Sequence, residues 1–208
     1  GKTTNIILLT TLLYPSVGSA SIAGFDILKQ RANVRENIGV VFQEPALDTE
    51  LTGKENLDFH ARMYGLTQET RKKRITQVLS LVDLSDKKNV FVKQYSGGMK
   101  RRLEIARGLM HSPTVLFLDE PTLGLDAQTR RAIWEYIKQL NKEEGTTIFL
   151  TTHYMDEADF LCDRIGIIDH GKILVIDTVD TLKKSVGHDV ITLSCSDIAK
   201  LQKRLEQE

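Results

Sequence analysis

The chain has 208 residues, and its 28 Lys and Arg residues balance 28 Asp and Glu residues, so its formal net charge is zero. That length is typical of one domain with a substantial core, and the balanced charge gives no indication of a nucleic acid partner. No apolar run reaches the roughly 18 residues of a membrane-spanning helix, so we expect any membrane association to depend on another chain. Cys162 and Cys195 form neither a disulfide framework nor a metal-ligand spacing, which favours a reduced, cytoplasmic setting.

The first residues match part of a phosphate-binding loop. Gly1, Lys2 and Thr3 correspond to the end of the pattern G-x-x-x-x-G-K-[ST], in which the lysine binds phosphate and the hydroxyl binds Mg²⁺. The apolar residues that follow predict a helix over residues 6–13. Without the later motifs the same string also suits the N-terminal cap of a helix, so both interpretations stay open here.

The next segments predict a buried strand and a helical region. Residues 38–42 form a short apolar run that places Gln43 at the end of a strand, where ligands bind in parallel α/β sheets. The alternative is an ordinary polar residue at a strand end. Further on the apolar spacing becomes helical, and Thr52 with Glu55 predicts a capping box. Because no strand pattern interrupts it, the segment from about 50 to 94 is predicted to be a helical subdomain.

A Gly-rich turn, Ser96-Gly97-Gly98, follows this region. Glycines let a backbone approach a ligand closely, and the helix that begins near Met99 presents unpaired N–H groups and the positive end of its dipole. The turn is therefore a predicted phosphate site. For the basic residues after it, two interpretations stay open, namely that they help to hold phosphate or that they face solvent: Lys100, Arg101 and Arg102.

Two further apolar runs, residues 115–118 and 147–150, predict buried strands that end in polar side chains. Asp119 and Glu120 follow the first, and adjacent acids at such a point suit a Mg²⁺ ligand beside a group that polarises a water. His153 follows the second strand, although a lone histidine is also compatible with a structural or surface role. Since strands alternate with helices, we predict a doubly wound parallel sheet with these polar groups collected at one edge.

The last third of the chain predicts smaller elements. One helix carries Trp134 as a core anchor, and a short helix over residues 155–162 is expected to expose Asp156, Glu157 and Asp159. Two apolar runs around a Gly-containing turn predict a hairpin over residues 165–176. We expect the domain to end near residue 186, and residues 187–208, with a strand and a polar helix, to begin a truncated C-terminal extension.

Together and in this order, the motifs resemble those of the ATPase subunits of ABC (ATP-binding cassette) transporters, over nearly the whole chain. The matching segments are residues 95–99 (the LSGGQ signature, here Tyr-Ser-Gly-Gly-Met), 115–121 (the Walker B strand with its catalytic Glu) and 123–126 (the D-loop). Within the family, residues 43–45, 51–52, 55–57 and 97–102 most resemble the ATPases of ABC-2 drug and polysaccharide exporters, such as the daunorubicin-resistance type.

The resemblance implies an α/β fold with a P-loop NTPase (RecA-like) parallel sheet core, an inserted helical subdomain and a β-hairpin arm. The turn-rich residues 15–26 are the candidate arm. Residues 1–186 would be an ABC ATPase domain that lacks its N-terminal strands and most of the Walker A loop. We therefore expect the natural protein to extend upstream, and residues 1–208 alone to bind ATP weakly or not at all and to be inactive.

The resemblance also implies ATP and Mg²⁺ as ligands and ATP hydrolysis as the reaction. The expected catalytic residues are Glu120, His153 and Gln43. The expected nucleotide-binding residues are Gly1, Lys2, Thr3 and Thr4 in the phosphate loop, and Ser96, Gly97, Gly98, Met99 and Asp126, which would close on ATP held by a second cassette. The expected Mg²⁺ ligands are Thr3, Gln43 and Asp119.

The expected partners are a second ABC ATPase domain, most simply a second copy of this chain in a head-to-tail dimer, and an integral membrane subunit, with no nucleic acid. The protein would power export of a drug, lipid or polysaccharide-type cargo as a peripheral protein on the cytoplasmic face of a membrane. The alternative is a soluble ABC ATPase that acts on ribosomes or DNA, although the DNA-acting kind usually inserts a long coiled coil that this chain does not have. Glu120 and His153 argue against a module that binds nucleotide without turnover.

Overall fold

The structure is a computed structural model that describes residues 1–185. Its helices are α1 (Lys2–Leu9), α2 (Arg31–Asn37), α3 (Gly53–Met63), α4 (Gln68–Leu81), α5 (Gly97–Gly108), α6 (Ala127–Glu144), α7 (Met155–Leu161) and α8 (Val179–Ser185). Its strands are β1 (Ser21–Ile22), β2 (Phe25–Asp26), β3 (Ile38–Val41), β4 (Val115–Asp119), β5 (Thr147–Thr151), β6 (Arg164–Asp169) and β7 (Lys172–Thr178). The strand and helix predicted within residues 187–208 lie outside the described residues.

The central sheet has three parallel strands in the order β3-β4-β5, which confirms the predicted parallel sheet. Its strands are the three apolar runs identified in the sequence. The register pairs Val41 with Leu118 and Asp119 with Thr151. The carboxyl ends of the strands therefore lie together at one edge of the sheet, as in other open α/β sheets that bind ligands there.

Helix α5 packs directly on β3 because glycines occupy the contact positions. A Cβ atom on Gly39 of β3 would overlap the carbonyl oxygen of Gly108 and crowd Leu116. Leu103 and Ile105 of α5 are fully buried in the main hydrophobic core, and each such burial stabilises the fold by about 1.5–3 kcal/mol. This close packing holds the polar side chains of α5 next to the loops that follow β3 and β4.

Residues 53–94 consist mainly of helices and turns, and an isolated antiparallel β-bridge joins Phe91 to Thr52. Thr52 and Glu55 form the predicted capping box, in which Glu55 N donates to Thr52 Oγ1 (3.2 Å) and Thr52 N donates to Glu55 Oε2 (2.8 Å). Leu57 of α3 and Val78 of α4 are fully buried in the same core as Leu103. Two short 3-10 helices, Ser85–Lys87 and Val92–Gln94, then return the chain to α5.

The remaining elements surround this core. Strands β6 and β7 form the predicted antiparallel hairpin, and β1 pairs with β2 in a second, very short hairpin. Helix α6 ends at Gly145, whose φ of 64° is the left-handed conformation that glycine favours at such ends. Helix α2 had no sequence prediction. Within residues 1–185 no helix combines the length and the apolar character needed to cross a bilayer.

Burial of two histidines predicts a pH-dependent stability. Burial lowers the pKa of His60 to about 4, and burial also lowers the pKa of His111. The folded protein therefore protonates these side chains at a lower pH than the unfolded chain does, so the free energy of unfolding falls as pH drops from 6.5 towards 4. We expect His60 to contribute about 1–3 kcal/mol to this fall.

Chemical denaturation at pH 7, 5.5 and 4.5 would measure the effect. His60→Gln should reduce the pH dependence between 6.5 and 4, because glutamine does not titrate there. His170→Gln is the matched control, since the His170 side chain is 95% exposed. An equal pH dependence in the parent and His60→Gln proteins would contradict the prediction.

Candidate active site

A hydrogen bond between neighbouring strands fixes the acid at the end of β4. Thr151 Oγ1, at the end of β5, donates to Asp119 Oδ1 at 2.5 Å, and Asp119 is only 1% exposed. A hydrogen bond to a carboxylate contributes about 1.5–3 kcal/mol to stability, which helps to offset the free-energy cost of burying the carboxylate. Thr151 was not singled out from the sequence, because its role depends on the register between β4 and β5.

Glu120 adopts an unusual backbone conformation directly after this strand. Its φ is 47°, in the left-handed region that costs a non-glycine residue on the order of 1 kcal/mol. Glu120 N donates to the carbonyl oxygen of Thr151 at 3.0 Å, so the first residue beyond β4 is still bonded to β5. The Glu120 carboxylate, whose side chain is 14% exposed, lies beside the Lys2 ammonium and the His153 ring.

Lys2 and His153 lie on either side of the Glu120 carboxylate. Lys2 Nζ is 3.4 Å from Glu120 Oε1 and donates to the carbonyl oxygen of Thr152 at 2.8 Å. His153 Nδ1 is 2.9 Å from Glu120 Oε2. The N-terminus of α1 and the carboxyl ends of β4 and β5 thus meet at one carboxylate.

The phosphate-loop residues form the beginning of α1. Gly1 is the N-cap of the helix, and its amino group donates to Thr4 Oγ1 at 3.2 Å. Ile6 anchors α1 by packing in a buried cluster with Phe117 of β4. Lys2 and Thr3 are consequently held in the first turn of a helix, where unpaired backbone N–H groups and the helix dipole favour anions.

Gln43 lies at the same edge of the sheet, two residues beyond β3. It is exposed and lines a cavity of about 200 Å³ together with Glu120 and Gly97. The structure thus brings three predicted site residues from three different segments around one opening. Lys2, Asp119 and His153 are not among the residues that line it.

The predicted metal ligands offer hard oxygen donors, which fit Mg²⁺. They are the hydroxyl of Thr3, the side-chain amide of Gln43 and the carboxylate of Asp119. Asp119 Oδ1 accepts from the Thr151 hydroxyl, and Asp119 is only 1% exposed. Among the described residues no group of three His, Cys, Asp or Glu side chains could hold a metal alone.

The second predicted phosphate site lies where two helix N-termini meet. Ser96 caps α5 by accepting from Met99 N (3.2 Å), and Asp126 caps α6 by accepting from Thr129 N (2.9 Å) and Thr129 Oγ1 (2.6 Å). The hydrogen bonds from Thr129 lower the pKa of Asp126. Gly98 lies so close to Thr129 that a Cβ atom there would collide with the threonine methyl group. The two caps therefore form one continuous exposed surface.

Two sequence interpretations of charged residues are wrong. Arg101 neither faces solvent nor is free to hold phosphate, because it is 8% exposed and donates to three backbone carbonyls. Glu157 is fully buried rather than exposed, and its Oε1 accepts from Thr122 Oγ1 (2.7 Å) and Trp134 Nε1 (2.8 Å). Trp134 is buried as predicted, and it also orients this carboxylate.

Glu104 is a third buried charge that the sequence analysis missed. It is 1% exposed, its Oε1 accepts from Ala46 N at 2.8 Å, and its Oε2 pairs with Arg107 at 2.9 Å. The spacing of residues along α5 could have predicted that Glu104 is buried. Gly97, Arg101, Glu104 and Gly108 recur at spacings of four, three and four, so they share the face of α5 that packs on β3.

Comparison with known proteins identifies the family. The ABC transporter family model matches residues 1–123. The linearmycin resistance ATP-binding protein LnrL of Bacillus subtilis (strain 168) is 45% identical over 199 residues, which are 95% of this chain and 64% of that protein. The daunorubicin/doxorubicin resistance ATP-binding protein DrrA of Streptomyces peucetius is 41% identical over 208 residues, which are 100% of this chain and 62% of that protein. The chain therefore spans less than two thirds of the length of these relatives.

A solved structure supports the same assignment. The dimeric ATP-binding cassette MJ0796, in a post-hydrolysis state bound to ADP and Pi, matches with a TM-score of 0.75 and 29% identity over 86% of this chain and 81% of that chain. The chain belongs to the ABC transporter family and has the α/β fold of its ATP-binding cassettes. Its similarity to LnrL and DrrA confirms the resemblance to the daunorubicin-resistance type.

The contact between Gly98 and Thr129 yields a test of this site. Gly98→Ala should lower the free energy of unfolding by about 1–3 kcal/mol, because the new methyl group overpacks against Thr129. Gly97→Ala is the matched control, since its Cβ would lie at an ordinary 3.7 Å from Leu125. Denaturant unfolding of both variants measures the difference.

A second substitution tests whether the stability lost in Gly98→Ala is due to the Thr129 methyl group. Thr129→Ser removes the methyl group and keeps the hydroxyl that donates to Asp126, so it should restore most of the stability lost in Gly98→Ala. Equal destabilisation by Gly97→Ala and Gly98→Ala, or no recovery in the double variant, would show that this contact does not fix the turn.

Proposed function

We propose that this protein is the ATP-hydrolysing, energy-coupling subunit of an ABC exporter that acts through a separate membrane subunit. The observation that carries the proposal is the Glu120 carboxylate at the end of β4, held between Lys2 at 3.4 Å and His153 at 2.9 Å. That arrangement supports a role for Glu120 as a general base beside a lysine that binds phosphate. The names of LnrL and DrrA, which are drug resistance ATP-binding proteins, support the transport role.

The N-terminus of α1 is the proposed site for the phosphates of ATP. Backbone N–H groups of its first turn and the ammonium of Lys2 neutralise the charge of the β- and γ-phosphates, and contacts from Gly1, Thr3 and Thr4 complete what this chain supplies. Phosphoryl transfer depends mainly on such positioning and charge neutralisation, with little covalent chemistry from the protein.

Glu120 is the proposed general base. Its carboxylate accepts a proton from the attacking water while the oxygen of that water bonds to the γ-phosphorus, and ADP leaves with the electron pair of the broken P–O bond. A bound γ-phosphate competes with Glu120 for Lys2, which releases Oε1 to the water. His153 holds Oε2 from the other side, so the carboxylate keeps its orientation, and His153 also steadies the γ-phosphate.

Mg²⁺ is the proposed cofactor, and its chemistry is to neutralise charge between the β- and γ-phosphates. In this chain Thr3, Gln43 and Asp119 would hold it. The bond from Thr151 keeps Asp119 oriented at the end of β4, and Gln43 stands at the opening that it shares with Glu120. Gln43 also orients the attacking water.

A second cassette is the proposed partner of the exposed surface around Ser96 and Asp126. One nucleotide requires only one phosphate-binding helix N-terminus, but this chain has two. The second, at the turn formed by Ser96, Gly97, Gly98 and Met99, therefore closes on ATP bound to the partner. The dimeric MJ0796 cassette supports this arrangement. We propose a head-to-tail homodimer, bound to an integral membrane subunit on the cytoplasmic face of the membrane, without nucleic acid.

Substitution of the base tests hydrolysis and dimer formation together. Glu120→Gln in the full-length protein should reduce the rate of ATP turnover by about a hundredfold or more and accumulate an ATP-bound dimer, because binding persists while hydrolysis stops. Light scattering with saturating ATP and Mg²⁺ measures the dimer, and phosphate release measures turnover. Glu135→Gln on the exposed face of α6 is the control. A Glu120→Gln protein that stays monomeric would refute the proposed dimer, in which ATP lies between two cassettes.

Co-purification tests the transport role separately. Gentle solubilisation of native membranes and capture of the full-length protein should recover a multi-span membrane protein with it. Recovery only in the soluble fraction, with ribosomes or alone, would instead favour a soluble ABC ATPase and refute the exporter assignment.

A further inference from the structure

Helix α5 holds both ends of the segment that carries Gln43. At the near end, Arg101 Nη1 donates to the carbonyl oxygen of Phe42 at 2.6 Å. At the far end, Ala46 N donates to Glu104 Oε1 at 2.8 Å. The three residues between these two anchors, Gln43 to Pro45, are exposed.

The same guanidinium also brackets Glu120. Arg101 Nε donates to the carbonyl oxygen of Pro121 at 2.6 Å, and Nη2 donates to that of Asp119 at 3.1 Å. These carbonyls belong to the residues immediately before and after Glu120, whose own backbone is in the left-handed conformation. A single side chain thus binds the backbone next to Gln43 and on both sides of Glu120.

The chemistry of these contacts requires arginine in particular. Guanidinium carries five N–H donors in a rigid planar fork, so its three nitrogens reach three separate carbonyls at once. Lysine offers one nitrogen, which cannot replace donors that point in different directions. Arg101 and Glu104 are only 8% and 1% exposed, so the side-chain partner at each anchor is buried.

Helix α5 begins at the exposed turn proposed to meet the second cassette. Gly97 lies one helical turn before Arg101 and lines the same cavity as Gln43 and Glu120. A rigid-body movement of α5 that follows contact at Ser96 therefore carries Arg101 and Glu104 with it, and with them the backbone of both catalytic segments.

We propose that Arg101 and Glu104 are positioning residues that transmit the position of the Ser96 turn to Gln43 and Glu120. The proposal rests on the proposed ATP hydrolysis. Glu104 acts on the Gln43 segment alone, whereas Arg101 acts on both segments. Arg101 donates to three backbone carbonyls, and Glu104 accepts from Ala46 N and pairs with Arg107. Because protein groups engage both side chains, their effect should fall on the rate of turnover and not on ATP affinity.

The test combines three variants and a matched control in the full-length protein. Glu104→Leu keeps the shape but removes the acceptor for Ala46 N, whereas Glu104→Gln keeps an oxygen that can accept. Arg101→Lys keeps the charge but loses the fork. Arg102→Lys is the control, because Arg102 on the same helix donates instead to the carbonyl oxygens of Val82 and Asp83.

A double-mutant cycle with Gln43→Ala separates positioning from general structural damage. Glu104→Leu should lower kcat about tenfold with KM for ATP within about twofold, yet lower it less than about twofold in the Gln43→Ala background. Glu104→Gln and Arg102→Lys should stay within about twofold of the parent. Arg101→Lys should keep a clear loss in the Gln43→Ala background, because its contacts beside Glu120 are also gone. Additive losses for Glu104→Leu and Gln43→Ala would overturn the proposal.

Hydrogen exchange gives a readout that does not depend on turnover. The amide of Ala46 should exchange faster in Glu104→Leu than in the parent, Glu104→Gln or Arg102→Lys proteins. Unchanged exchange in Glu104→Leu overturns the anchoring of this segment even if activity falls. A parent protein without ATP turnover refutes the proposed function only, and the exchange comparison then decides the anchoring by itself.

Discussion

The pairing of the last residues of β4 and β5 is the constraint on which the site depends. Asp119 lies opposite Thr151 in a parallel register, and the Thr151 hydroxyl binds the Asp119 carboxylate while the Thr151 carbonyl accepts from Glu120 N. A shift of one residue in this register would exchange the two faces of the strand. Asp119 would then leave the buried position, and Glu120 would no longer lie between Lys2 and His153.

Around this edge, buried charges connect segments that are far apart in sequence. Arg101 and Glu104 bind backbone groups of the segments after β3 and β4, and Glu157 joins α7 to Thr122 and to Trp134 of α6. Buried charges are costly unless they are paired or hydrogen-bonded. Each of these three side chains is hydrogen-bonded to loop or helix groups that border the site. Unpaired, they would destabilise the core; paired in this way, they hold the loops in position.

The sequence predicted the candidate site residues that follow strands and missed the buried charged residues that face inward from helices. Gln43, Asp119 and His153 could be predicted because an apolar run followed by a polar residue can be recognised in the sequence. Parallel strands then bring such strand ends together. Arg101, Glu104 and Glu157 were not predicted, since charged residues on a helix ordinarily face solvent and only the packing shows which face is covered. Helix α2 also escaped prediction, because Val34 is its only buried residue and its apolar periodicity is weak.

The left-handed backbone at Glu120 sets the proposed catalytic role of its carboxylate against the stability of the fold. Glycine takes that conformation without the steric penalty that a Cβ atom incurs, so the residue best suited to the backbone there has no side chain at all. Selection of variants only for heat resistance would therefore tend to replace Glu120 with glycine. The carboxylate would be lost without any visible damage to the fold. Thermal survival is a misleading screen for this domain unless a measure of turnover accompanies it.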